Sequence, residues 1–389
     1  MDENQISAPR KEKNIELEPL TIEKVELLLV RLPLLSPFET SFGRSSSKEA
    51  IIVKLHSEGD VAYGECTSEP EPFYSYEFNA MSWKVLSEFI IPSLKGVELG
   101  SPRDFSKAAG RIRGHSMSKG CVEMAIWDLF ARRARIPLSQ MIGGARKRIE
   151  CGISIGIQKS VSDLLNVIDD SIKKGYRRIK VKVKPGWDVD VLRAIRRMYP
   201  ELPLQVDANA AYALKSMDHL KKFDRFNLTM LEQPLDYDDL FEHSILQAGL
   251  ETPICLDESI KGPESVNVMS RLESGRIVNI KAGRVGGIGA SLAVHDTAMK
   301  NGIPVWIGGM LETGVGRSFN VALNTLPNVR FPGDTSPSSR YFSRDIITEP
   351  FEMDASGRMN VPSGYGSGIE IDEKQIRRRT VRSKVVKLN

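Results

Sequence analysis

Between Cys151 and Gly333 short apolar runs alternate with longer helical stretches, and no other feature constrains the fold as much. The runs read as strands at Cys151–Gly156, Arg178–Val183, Leu204–Asn209, Thr229–Gln233, Ile254–Glu258, Ile277–Lys281, Pro304–Gly308 and Val329–Gly333. Helical periodicity falls between them, for example over Val161–Lys174, Asp188–Tyr199 and Ala290–Lys300. Strict strand–helix alternation over eight repeats predicts an α/β fold with a parallel (β/α)8 barrel. An open doubly wound sheet would place a Gly-rich turn after its first strand. Here the first strand is followed by IQKSVSD, which cannot cradle a phosphate.

The chain of 389 residues is longer than the barrel needs, which leaves room for a smaller unit. In the first third, the stretches from Ile22 to Leu35 and from Lys48 onward read as strands. The Ser/Gly-rich segment SPFETSFGRSSS between them reads as a loop. A further short strand is flanked by Asp60 and Gly64. The stretch Ser118–Arg133 predicts an amphipathic helix with Val122, Ala125, Ile126, Leu129 and Phe130 on its apolar face. This divides the chain into a disordered lead-in over 1–21, an α+β capping domain over 22–145, the barrel over 146–335 and a C-terminal segment over 336–389.

Charge and cysteine content exclude several classes. The formal net charge is +4, but seven basic residues and no acid lie from Lys374 to the end. The remainder is mildly acidic and carries no nucleic-acid footprint, and the basic stretch reads as a solvated tail. No run of about 18 apolar residues, the length a membrane helix requires, is present. The N-terminus has no apolar core of a secretory signal. Cys66, Cys121, Cys151 and Cys255 are scattered without a CxxC pair, which argues against a zinc site and for a reducing, cytoplasmic setting.

In a barrel of this kind the active site forms at the carboxyl ends of the strands. Strands three, four and five end in LQVDAN, TMLEQP and ICLDES, which place Asp207, Glu232 and Asp257 there at intervals of 25 residues. One βα unit is about that long, so adjacent strands deliver three carboxylates side by side. Three oxygen donors with room for water and substrate suit Mg2+, with Mn2+ or another divalent metal as a substitute. Any one of these acids alone could simply cap the next helix.

Strand two reads RIKVKVKPG. Lys180, Lys182 and Lys184 alternate with valines and so share one face. Lys184, beside Pro185–Gly186, reaches solvent, while Lys180 and Lys182 project into the barrel mouth. Strand six ends in Lys281, on the opposite side of the ring. A small carboxylate substrate between them would present its α-carbon to one lysine on each face. Neighbouring cations and partial desolvation are expected to bring a lysine pKa towards neutrality, so that it can take the α-proton. Two lysines permit racemisation; one, with loss of a β-hydroxyl, permits dehydration.

These residues resemble the o-succinylbenzoate synthase / N-succinylamino acid racemase group of the enolase superfamily. The similarity runs from about Ile22 to Thr380. It includes PFETSFG, VEMAIWD, IKVK, VDAN, LEQP, LDES, NIKAGRVGG, GGMLETGVGR, FPGDTS and VPSGYGSGIEID in order. The resemblance implies an enolase-like modified barrel, with the C-terminal tail returning to the capping domain and Pro37–Gly43 closing over substrate. It implies that Asp207, Glu232 and Asp257 bind the metal, that Lys182 is the base, that Lys180 polarises the site and that Lys281 is the second acid/base. Ser154, Asn209 and the backbone of Gly308, Gly309, Met310 and Leu311 would line the pocket, with Glu258 and Arg284 behind. Arg284 is either a solvent-exposed loop residue or a charge that lowers the Lys281 pKa.

The resemblance further implies a menaquinone- or phylloquinone-forming dehydratase with N-succinylamino acid racemase activity, and self-association. N-acylamino acid racemisation as the main activity, muconate-type cycloisomerisation and a catalytically dead scaffold stay open. Mandelate-racemase-like enzymes would carry a His at strand seven, where IPVWIGGM has none. Dipeptide epimerases would carry an Asp-x-Asp pair near strand eight, where Asp334 is followed by Ser336.

Overall fold

The computed structural model describes residues 15–40 and 43–388. Residues 1–14 of the expected lead-in lie outside them. Its last part is ordered: Leu20–Thr21 pairs antiparallel with Glu98–Leu99, and Leu20 is buried.

The capping domain is built on β1 (Lys24–Glu39), β2 (Arg44–Ser57) and β3 (Asp60–Cys66), an antiparallel meander. Val25, Leu27, Val30 and Leu32 turn inward from β1, as a half-buried strand requires. The expected Ser/Gly loop is instead the tip of a long hairpin. Phe38 pairs with Ser45 and Glu39 with Arg44, after a register shift beyond Pro33, which has no ladder N–H to give. The part of the predicted lid at residues 41–42 lies outside the described residues.

Helix α1 (Ser116–Arg133) is buried on all sides, not on one face. Two glycines allow this. A Cβ on Gly64 of β3 would stand 1.9 Å from the Cys121 carbonyl oxygen, and one on Gly120 would stand 2.9 Å from the Gly287 nitrogen. The helix is thus pressed between the capping sheet and the barrel, and its buried acids find partners there.

The barrel follows as β4 (Gly152–Ile155), α2 (Val161–Lys173), β5 (Arg178–Lys182), α3 (Val189–Met198), β6 (Leu204–Asp207), β7 (Met230–Glu232), α4 (Phe241–Ala248), β8 (Ile254–Leu256), α5 (Pro263–Leu272), β9 (Ile277–Ile280), α6 (Ile288–Lys300), β10 (Val305–Ile307) and α7 (Gly314–Leu323). Strands β4 to β10 form one parallel sheet in sequence order. The expected eighth strand, Val329–Gly333, is not a ladder strand. It makes single bridges to both sheet edges, Val329 to Val305 and Gly333 to Cys151, and so closes the ring. Pro332 in its middle removes a donor, which explains why no continuous ladder forms.

The basic C-terminus is not a free tail. Helix α8 (Glu373–Arg379) leads into β11 (Thr380–Lys387), which pairs antiparallel with β1 as the edge of the capping sheet. Its basic side chains remain largely exposed. No helix among the described residues is long and apolar enough to cross a membrane.

Two buried glutamates of the capping domain reach into the barrel. Glu65 on β3 accepts hydrogen bonds from Thr313 N (3.1 Å), Thr313 Oγ1 (2.6 Å) and Gly316 N (2.8 Å) at the start of α7. Glu123 on α1 accepts from Ile288 N (2.7 Å) and Gly289 N (2.8 Å) at the start of α6. Each satisfies backbone donors that a helix cannot pair internally.

Candidate active site

The floor of the barrel interior is apolar: Met230, Cys255, Ile277 and Trp306 form a buried cluster of their own. The Arg178 guanidinium lies 4.6 Å above the Trp306 ring, and Lys180 Nζ lies 4.8 Å from it. Upward from there the interior turns wholly polar, because alternate residues of strands ending at one level point inward.

Lys180 Nζ contacts three acids: Glu232 Oε2 at 3.0 Å, Asp207 Oδ2 at 3.3 Å and Asp334 Oδ2 at 2.8 Å. Glu232 also accepts from Gln205 Nε2 (2.5 Å) and Asn279 Nδ2 (2.9 Å). Lys182 Nζ donates to Asp207 Oδ2 and Asn209 Oδ1, both at 2.6 Å. Across the mouth, Lys281 Nζ lies 2.8 Å from Asp257 Oδ2 and 3.0 Å from the Tyr74 hydroxyl. The β6–β7 register sets Asp207 directly beside Glu232. Asp257 stands two residues beyond Cys255, the partner of Glu232, so it sits a step above the expected common level.

Burial and like charge act together on these carboxylates. Desolvation, then the charge of Asp207, pushes Glu232 up to about 8. Burial and Asp257 push Glu258 up to about 7. Burial also disfavours ionisation of Asp257, but Arg284 and Lys281 outweigh it and hold that group well below the usual carboxylate range. At Lys281 and Lys180 the expected fall of the pKa does not occur. Burial lowers Lys281 and Lys180, yet Asp257 overcomes it at the first, and Asp334, Glu232 and Asp207 at the second, so both are raised.

Among the described residues no three His, Cys, Asp or Glu side chains stand as a ready-made metal cage. The lysines stand between the acids instead. The donor chemistry nonetheless fits a hard divalent cation: three buried carboxylates on adjacent strands crowd one another, as the raised Glu232 records.

Above this layer a cavity of about 310 Å³ opens between barrel and capping domain. Ser154, Asn209, Gly309, Met310 and Leu311 line it, together with Lys180, Lys182 and Lys281. Gly308 does not: a Cβ there would stand 2.3 Å from Asn279 Oδ1, so this glycine serves interior packing. The capping domain contributes Phe38, Thr40, Gly43 and Arg44 from the hairpin and Glu69 and Tyr74 from the loop after β3.

Tyr74, Glu312, Arg317, Asp334 and Tyr341 line the cavity without having been picked out as site residues. Asp334, at the end of the eighth segment, follows the same rule that found the other acids. Tyr74 and Glu312 lie in loops without periodicity, Tyr341 follows a short 3-10 turn, and Arg317 lies in α7, where nothing marks it as facing the cavity. Arg284 is not a solvent residue. It is buried, and it bonds Asp257 Oδ1, the Tyr74 hydroxyl (3.2 Å) and the Ile260 (3.2 Å) and Asn279 (2.9 Å) carbonyls. Its charge does work to lower Lys281, but Asp257 between them prevails. Glu258 accepts from Asn209 Nδ2 at 3.2 Å, behind Lys182.

A curled parallel barrel with a capping domain over a lysine–carboxylate mouth defines the enolase class, and the comparisons agree. Residues 163–375 match the enolase C-terminal domain-like family, and residues 23–143 match the mandelate racemase / muconate lactonizing enzyme N-terminal domain. The chain belongs to the enolase superfamily. Within it, the chain is 47% identical over 367 residues to an o-succinylbenzoate synthase of Geobacillus stearothermophilus, covering 94% of this chain and 98% of that one. It is 44% identical to an N-succinylamino acid racemase of Thermus thermophilus, covering 93% and 98%. A solved enolase-superfamily structure from Listeria innocua superposes with a TM-score of 0.92 at 37% identity, covering 95% and 100%.

Proposed function

We propose that this protein abstracts the proton α to a carboxylate. On this reading it dehydrates 2-succinyl-6-hydroxy-2,4-cyclohexadiene-1-carboxylate to o-succinylbenzoate and racemises N-succinylamino acids at the same site. The observation that carries this reading is the placement of Lys182 and Lys281 on opposite sides of one cavity over buried carboxylates.

Lys182 is the base. Its Nζ is aimed by Asp207 and Asn209, both at 2.6 Å, across the cavity from Lys281. A divalent cation, Mg2+ or Mn2+, held by Asp207, Glu232 and Asp257 would supply the concentrated positive charge that makes an enediolate accessible. In dehydration the electrons of the C–H bond become the new ring double bond as the C–O bond breaks, and the hydroxyl leaves with a proton as water. Lys281 stays a cation held by Asp257 and Tyr74. In racemisation Lys281 returns a proton to the opposite face.

Arg178, Lys180, Lys182, Lys281 and Arg284 face Asp207, Glu232, Asp257, Glu258 and Asp334, and their formal charges cancel. The four cysteines are buried thiols, consistent with a reducing cytoplasm.

Purified protein with Mg2+ should convert the hydroxycyclohexadiene substrate and wash deuterium into the α-position of N-succinylamino acids in D₂O. Absence of both reactions sinks the proposal. The hairpin over the mouth should also respond to product: o-succinylbenzoate is expected to protect Leu35–Gly43 from proteolysis, because closure excludes water. Equal cleavage with and without product removes the lid role.

A further inference from the structure

The loops that follow Lys182 and Asp207 are tied together by a side-chain cluster outside the cavity. Asp188 begins α3. Its Oδ1 accepts from Val189 N, the first N–H of that helix, at 2.5 Å. Its Oδ2 has further partners: the Tyr212 hydroxyl at 2.9 Å and His219 Nε2 at 2.8 Å. Asp188 and Tyr212 are both buried, while the His219 side chain is 39% exposed. A cap needs only the first oxygen, so the second is available for another task.

Both connected loops are short and lead directly from the reacting layer. From Lys182 the chain runs through a tight turn in which Lys184 and Trp187 exchange backbone hydrogen bonds (3.2 and 2.8 Å), and Asp188 follows. From Asp207 it runs through Asn209 and Ala210, both left-handed (φ 42° and 60°), a conformation that L-residues rarely adopt. That strained pair is held on one side by Ala210 N to Gln233 O (2.8 Å) and Tyr212 N to Pro234 O (3.1 Å). The Tyr212 hydroxyl on Asp188 holds it on the other. Asn209, within the strained pair, is one of the two acceptors of Lys182 Nζ.

We propose that Asp188, with Tyr212 and His219, is a positioning clamp for Lys182: it fixes the Asp207–Asn209 loop against the Lys182 loop and so sets where the lysine Nζ stands. Lys281 has separate supports in Tyr74, Asp257 and Arg284, so the clamp acts on one face of the substrate only. This inference rests on the reading of Lys182 and Lys281 as paired bases.

The test is α-proton exchange in D₂O for each enantiomer of an N-succinylamino acid with Mg2+ present. Lys182→Ala identifies the enantiomer served by Lys182. Tyr212→Phe removes one hydroxyl, and Asp188→Asn keeps the helix cap. Both should slow exchange of that enantiomer about 10–100-fold, as a displaced catalytic group does, and leave the other within about twofold. His219→Ala, at the exposed end of the cluster, should act in the same direction if the buried variants fail to fold. Equal slowing of both enantiomers, or of neither, in folded variants overturns the clamp while the base assignment stands. Retention of both exchanges in Lys182→Ala overturns the base assignment, and the clamp with it.

Discussion

Lys182→Ala is expected to lose dehydration and racemisation together, by at least ~10²-fold and up to ~10⁴-fold, the range for removal of a general base. The fold should survive, because Asp207 keeps Lys180 at 3.3 Å when its 2.6 Å partner is removed. An unchanged far-ultraviolet circular dichroism spectrum and a cooperative melt would establish that. Lys182→Arg should not rescue activity, since a guanidinium keeps its charge and cannot accept the proton. Lys281→Ala should behave differently: racemisation lost, dehydration reduced but measurable, because only the first needs the second lysine to exchange protons. Near-normal dehydration by Lys182→Ala would move the base role to Lys281.

The second large effect concerns metal. Chelated protein should be inactive, and saturating Mg2+ should raise the melting temperature. At about 100 times the dissociation constant the gain is ~2.7 kcal/mol. Asp207→Asn, Glu232→Gln and Asp257→Asn should each abolish most activity and most of this metal-induced shift. They should differ in the chelated state. Asp257 anchors both Lys281 and Arg284, so its loss strands two buried cations and should destabilise the protein by ~3–5 kcal/mol. Glu232 stands among carboxylates that already oppose its ionisation, so Glu232→Gln should cost the chelated protein less. Full turnover in excess chelator, or an undiminished Mg2+ shift in all three variants, would defeat the metal assignment.

What could be read from the sequence was what is local. The alternation of Lys180 and Lys182 with valines follows from the period of a strand, and the acids at 207, 232 and 257 follow from the length of a βα unit. The rest depends on pairings between distant residues. Tyr74 meets Lys281 across 207 positions, and Arg178 meets Asp334 across 156. No periodicity announces either. The same limit explains the raised lysines: their partners could be inferred as metal ligands, but not as direct counter-ions. It also explains α1. Its polar residues suggested a solvent face, yet Glu123 and Asp128 are buried because another element supplies their donors: Ile288 and Gly289 for the first, Ser367 N (2.6 Å) for the second. Pro332, visible throughout, was the one local sign that the eighth segment would not pair as a strand.

Glu65 and Glu123 make the seam between cap and barrel a poor place to recombine. The cap supplies Tyr74 and the hairpin as one wall of the cavity, and would be the natural module to exchange when seeking new acyl preferences. Yet the same module terminates two barrel helices with its own carboxylates. One of those helices directly follows the Gly309–Glu312 wall of the cavity. A foreign cap lacking acids at these two positions would leave backbone donors bare in the interior and slacken that wall. Diversity in this scaffold is therefore more accessible through side chains on the hairpin and the loop after β3 than through replacement of the cap as a unit.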